Sequence, residues 1–175
     1  MSRKRLRLFH GTWAIFSPYD DLYRLGFDPI NLMLSEGIPA AIPNADYPGP
    51  CLTDSETAAR AWATAKADRS FHRLQECTRR PIDRSEVVGV VASVIVDPDY
   101  LFVDPNYRYW FWNPHTVVQH KSTTPRNIRD WKTSLKYWHT VSYAKDIPPE
   151  DIRILHFVRA EDSKQFLHEL DLEDT

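Results

Sequence analysis

Three groups of residues in this 175-residue chain have the types and spacing to do chemistry. The first is His10-Gly11-Thr12, where an imidazole that can donate and accept hydrogen bonds stands beside a residue whose missing Cβ lets a ligand approach the main chain. The second is Asp97, Asp99 and Asp104, carboxylates able to stabilise positive charge, although Asp97-Pro98-Asp99 is also an ordinary turn sequence. The third is Cys51, Cys77, His115 and His120, the types used for thiol nucleophiles and metal sites. His115 and His120 lack the second spaced pair of a zinc site, and no G-x-S-x-G elbow is present, so neither a metal nor hydrolase chemistry is expected.

The elements that must position these residues follow from periodicity. Arg5 to His10 alternates polar and apolar, which predicts a strand that ends at Gly11-Thr12 and delivers His10 to a turn. Asp20 and Asp21 start a short helix that Gly26 and Asp28-Pro29 stop, and residues 30 to 50, rich in proline, read as a loop. Thr53-x-x-Glu56 has capping-box spacing and predicts a helix from about Ser55 through the alanine-rich run around Trp62. Residues 69 to 86 look irregular, and Val87 to Val96 is a β-branched strand closed by Asp97-Pro98. The aromatic run from Tyr107 to Trp112 suits a loop or edge strand. Trp131 to Tyr143 fits helix or strand, Ile152 to Val158 a strand and Ser163 to Leu170 a closing helix.

Composition sets the class. A hydrophobic fraction of 42% over this length supports one globular domain, residues 1–175, with room for a core. The 13 prolines against 5 glycines predict ordered loops. A formal charge of −2 gives no global basic field, so nucleic acid is not indicated, and the basic start at Arg3, Lys4, Arg5 and Arg7 reads as a solvated edge. No apolar stretch has the length of a signal sequence or a membrane span, and two cysteines do not make a disulfide scaffold. A soluble cytoplasmic protein with reduced thiols and no membrane partner is expected.

Three segments taken in order carry a family likeness: Leu8-Phe9-His10-Gly11-Thr12, then Leu22 to Pro29, then Gly49-Pro50-Cys51-Leu52-Thr53-Asp54-Ser55 ahead of Ala58 to Ala63. Together they resemble the ADP-ribosyltransferase superfamily, in its branch with a His-Tyr-Glu triad. Val87 to Asp104 resembles that family's central strand and acidic turn, and Asp146 to Ile152 the turn after its catalytic Glu. The likeness implies an α+β fold, a split β-sheet sandwich with flanking helices and a central cleft for NAD. It implies that His10 hydrogen-bonds a ribose of NAD and that the main chain of Gly11 grips the nicotinamide carboxamide, with Thr12, Leu52 and Thr53 lining the site. It further implies mono-ADP-ribosyl transfer to a protein, nucleic acid or small molecule, with nicotinamide released and the loop from Ile30 to Pro50 folding over the cleft.

The sequence departs from the pattern twice. Trp62 stands at the position of the Tyr that stacks on the nicotinamide ring; it could stack in turn or be a core residue. The catalytic Glu should fall at Thr140 or Val141, and neither these nor His139 is a carboxylate. Either another acid, with Asp97, Asp99 and Asp104 the candidates, serves in its place, or the fold survives as a catalytically degenerate binding module that presents the aromatic run to a partner. The same His-Gly-Thr occurs in RNA 2′-phosphotransferases of this fold, whose RNA-binding lobe would precede His10, where nine residues stand.

Overall fold

Val87–Val96 forms the middle strand of a three-stranded sheet, and both of its faces are covered. That coverage explains why its sequence is continuously apolar instead of alternating: Val87, Val90, Val91, Ala92, Val94 and Val96 are all 0% exposed. The computed structural model describes residues 5–15, 29–40, 50–77, 81–103 and 130–159. In chain order the elements are β1 (Leu6–Ile15), α1 (Pro29–Glu36), β2 (Cys51–Leu52), α2 (Glu56–Cys77), β3 (Val87–Val96), β4 (Leu101–Phe102), α3 (Trp131–Trp138), β5 (Val141–Tyr143) and β6 (Ile152–Arg159). Short 3₁₀ turns at Arg84–Glu86, Pro98–Tyr100 and Pro149–Asp151 lead into β3, β4 and β6.

The fold is α+β, with two small sheets, both antiparallel. The first has the order β1-β3-β6 and the second β2-β5-β4. Leu8, Ala92 and Val94 on one face of the first sheet pack against Leu52, Val141 and Tyr143 of the second, which makes the principal core. The sheets also touch edge to edge, because Phe9 and Thr53 exchange two main-chain hydrogen bonds of 2.8 and 2.9 Å. At the end of the first sheet, Arg5 forks onto the carboxylate of Asp151, tying the start of β1 to the start of β6.

Helix α2 covers the other face of the first sheet. Ala59, Ala63 and Ala67, spaced by four, are fully buried and form its contact stripe. Two glycines let it lie close. A Cβ at Gly89 would fall 2.6 Å from the carbonyl carbon of Ala63, and one at Gly11 would fall 2.3 Å from the Ala59 oxygen. The helix begins where the spacing suggested, with a different cap. Ser55 Oγ accepts from Ala58 N at 3.2 Å, while Thr53 Oγ1 accepts from Ser55 N at 3.1 Å and tightens the turn before it. It also runs on to Cys77, into positions expected to be irregular, because Leu74 stays on the buried stripe and joins Ile15, Ile82 and Val87.

Other expectations need correcting. β1 does not end at Gly11-Thr12; it continues to Ile15 in register with Val87, so His10 sits in the middle of a strand. Residues 30 to 36, expected to be loop, belong to α1, which Gly37 stops at φ 86° with its N–H on the Met33 carbonyl at 3.1 Å. Trp131 to Tyr143 is helix and then strand. Asp130 caps α3 by accepting from Thr133 N at 2.9 Å, and His139 at φ 53° makes the reversal into β5. The helix expected after Asp20, the aromatic run at 107–112 and the helix expected at 163–170 lie outside the described residues.

The alanine stripe should be intolerant of size. Ala63→Leu is expected to lower stability by about 1–3 kcal/mol, because Ala63 is wholly buried among Val91 and Val158 under a closely packed helix. Ala65→Leu, on the exposed side, should change it by no more than about 0.5 kcal/mol. Urea midpoints of the two variants check this, and similar losses would show that α2 does not contact the sheet through this stripe.

Candidate functional site at the seam between the sheets

Strand alternation settles which way Gly11 faces. The N–H and C=O of Phe9 both point away from β3 and bond Thr53, so those of Gly11, two residues on, point the same way. Antiparallel pairing of Phe9 with Thr53 brings Cys51 across from Gly11, yet the strands separate there and no main-chain bond joins the two. The Gly11 carbonyl accepts instead from Lys66 Nζ at 2.5 Å, and no described residue accepts from its N–H. Among the described residues the Gly11 N–H is therefore open at the seam, next to α2, while its carbonyl is taken by Lys66.

His10 projects from the opposite face of β1 and is nearly buried, 9% exposed. Its Nδ1 lies 3.1 Å from the Cys51 carbonyl oxygen. A carbonyl can only accept, so Nδ1 carries the proton and Nε2 is left as an acceptor. Burial and, secondarily, the charge of Lys66 lower the His10 pKa from 6.5 to about 3, against the opposing bond to Cys51. The ring is neutral at physiological pH. Burial likewise lowers Lys66 to about 8; Cys51 favours its ammonium form and Arg69 opposes it. Lys66 still carries its proton for most of the time at pH 7.

Gly11, Thr53 and Trp62 lie together on the α2 side of β1, and His10 reaches the same seam from the other face. Trp62 is half-buried on α2, with its Cβ 3.2 Å from where a Gly11 Cβ would be. Thr12 is buried on the His10 face of β1, and Leu52 is wholly in the core between the sheets. Asp97 and Asp99 are not brought to this place. Asp97 follows Val96, the partner of Leu6, and so lies five residues along β3 from Ala92, the partner of His10, a run of about 17 Å. Its carboxylate accepts from Asp99 N at 3.0 Å, and its own N–H donates to the Tyr143 hydroxyl at 3.3 Å, as a turn-building Asp does. Asp104, His115 and His120 lie outside the described residues. At the position expected for a catalytic carboxylate, Val141 points into the core and the Thr140 carbonyl accepts from Ser134 Oγ at 2.6 Å. His139 bonds the Asp54 carboxylate through Nδ1 at 2.9 Å, and both side chains are largely exposed.

No protein-family model matches the chain, and neither curated proteins nor solved structures show a significant similarity to it.

Two members of the cluster were not foreseen. Lys66 follows Trp62 by four residues, so projection of α2 onto a helical wheel places them on neighbouring positions of one face. Ser142, fully buried opposite Cys51 in β5, carried no local signal, since its place depends on pairing with a strand about ninety residues earlier. Cys51 and Cys77 form no disulfide, the first being half-buried and the second exposed at the end of α2. Among the described residues no group of three or more His, Cys, Asp or Glu could hold a metal ion, and no helix is long and apolar enough to cross a membrane.

The depressed His10 pKa has a measurable cost. Below pH 6.5 the unfolded chain takes up a proton that the folded chain refuses until about pH 3, so stability is full above that window and falls as pH drops through it. Between pH 7 and 5 the loss from this residue should be about 2 kcal/mol. Urea unfolding of wild type and His10→Asn at both values checks it: the variant should lose less stability on acidification, and parallel losses would place the imidazole in water.

Proposed function

We propose that the chain is an NAD-dependent ADP-ribosyltransferase that takes the nicotinamide carboxamide at the open edge of Gly11. The observation that carries this reading is the orientation of the Gly11 N–H and C=O into the seam beside Trp62 and His10. A primary carboxamide offers an acceptor oxygen and a donor nitrogen side by side; its oxygen would meet the Gly11 N–H, and its nitrogen would take the place that Lys66 Nζ holds on the Gly11 carbonyl. The Lys66 ammonium on the Gly11 carbonyl is a nitrogen donor of the kind the carboxamide NH₂ supplies. Bound in this way, the nicotinamide ring would lie near the Trp62 indole, a large face for a positively charged ring. His10 Nε2, neutral and unprotonated, suits a ribose hydroxyl as donor.

In this mechanism the chain holds the nicotinamide end while the bond to the ribose carbon breaks. Nicotinamide leaves neutral, and a nucleophile of the acceptor, or water, bonds to that carbon. The positive charge that develops on the ribose calls for an anion, and the residues at 140 and 141 provide none. Loss of one such electrostatic partner costs roughly 10²–10³ in rate, so slow turnover is expected. This same observation favours a second reading, an NAD-binding module without transfer.

Incubation of the chain with NAD, with free nicotinamide as the readout, tests the proposal. Wild type should release nicotinamide, and His10→Asn and Trp62→Ala should each reduce release at least tenfold while remaining folded by circular dichroism. Calorimetric NAD binding without release would support the module reading. Neither binding nor release would remove NAD from the account.

A further inference from the structure

The seam holds a second chemistry, independent of NAD. Residues directly opposite in an antiparallel pair share a face, so Thr53 lies on the Phe9 and Gly11 side of β1, the side covered by α2. Cys51, two residues from Thr53, shares that face. Ser142, opposite Cys51 in β5, shares it too, with its Cβ about 5 Å from that of Cys51. The Cys51 thiol thus stands between two polar groups. Lys66 reaches in from α2 to the Gly11 carbonyl, and it feels Cys51 as the neighbour that favours its ammonium form. Ser142 is 0% exposed, and among the described residues its hydroxyl has no hydrogen-bond partner. Native structures rarely leave a buried hydroxyl unmatched, which marks this corner as built to meet another polar group.

We propose that Cys51 is a covalent modification site, a thiol nucleophile set beside Lys66 that adds to small conjugated electrophiles carrying a carboxamide. The nucleophile is the thiolate, which an adjacent ammonium stabilises. Cys77, by contrast, is exposed at the last position of α2. The Gly11 N–H faces the carboxamide oxygen of the incoming molecule, and the Ser142 hydroxyl is a donor for the same corner. With acrylamide the step balances without a further reagent. The sulfur lone pair bonds the terminal alkene carbon, and the π pair moves to the carbon next to the carbonyl. That carbon takes one proton from solvent, replacing the one the thiol released.

The test is limited acrylamide labelling of the native chain at neutral pH, without NAD, with adducts at Cys51 and Cys77 quantified by peptide mass spectrometry. Cys51 should react at least tenfold faster than Cys77, and the preference should vanish in guanidinium. Lys66→Met should slow Cys51 at least tenfold with Cys77 unchanged, and Lys66→Arg should restore most of the rate. A native Cys77 as fast as Cys51, or a Lys66→Met chain that labels as wild type, overturns the proposal. If Lys66→Met does not fold, the wild-type pH profile decides. Lys66 is the charged group coupled to Cys51; Arg69 acts on Lys66 in turn, and the neutral His10 ring bonds the Cys51 carbonyl. Labelling of Cys51 should persist to lower pH than that of Cys77, and parallel profiles overturn the assignment.

Discussion

The arrangement depends on how closely α2 lies on the first sheet. Helices normally rest on sheets through side chains; here main chain nearly meets main chain, because Gly11 and Gly89 face a stripe of alanines. That proximity decides what the next residues on the helix can reach. Lys66 spans the remaining gap to the Gly11 carbonyl, and Trp62 stands against the same residue. With ordinary packing the helix would sit farther out, and the seam would lose both its cation and its aromatic wall. Gly11 is thus needed for the close packing of α2 as well as for the edge it presents at the seam.

The second constraint is the parting of β1 and β2 after one bridge. Phe9 and Thr53 satisfy each other, and one step on the partners separate, so carbonyls that would have closed a ladder turn to side chains instead. His10 and Lys66 each send a nitrogen into that gap, one to the Cys51 carbonyl and the other to the Gly11 carbonyl. Both are held below their ordinary pKa mainly by burial, so the seam contains a neutral imidazole and an ammonium that gives up its proton easily.

Local pattern made β3, β6 and the start of α2 legible in the sequence, because each is a long run with one dominant periodicity and a clear boundary. It failed where tertiary pairing outweighs local preference. Gly11-Thr12 looks like a turn, yet β3 is long enough to keep β1 extended to Ile15. Pro29–Glu36 has little periodicity and is nonetheless helical, with Met33 buried in the main core. At the site, His10, Gly11 and Trp62 could be named from sequence, whereas Ser142 depends on a distant pairing and Lys66 on the depth at which α2 sits. Asp97 and Asp99 were named for their charge, and their geometry is that of a turn at the far end of β3.

The second sheet also bears on the order of assembly. Its strands hold only two or three residues each and come from three distant parts of the chain, near positions 51, 101 and 142. Closing loops of that length costs entropy that so few ladder bonds cannot repay in isolation. The long β1 and β3 ladder, with α2 laid across it, offers a ready template on which Leu52, Leu101 and Val141 can be buried. The seam exists only where the second sheet is laid on the first, so its groups depend on both sheets at once.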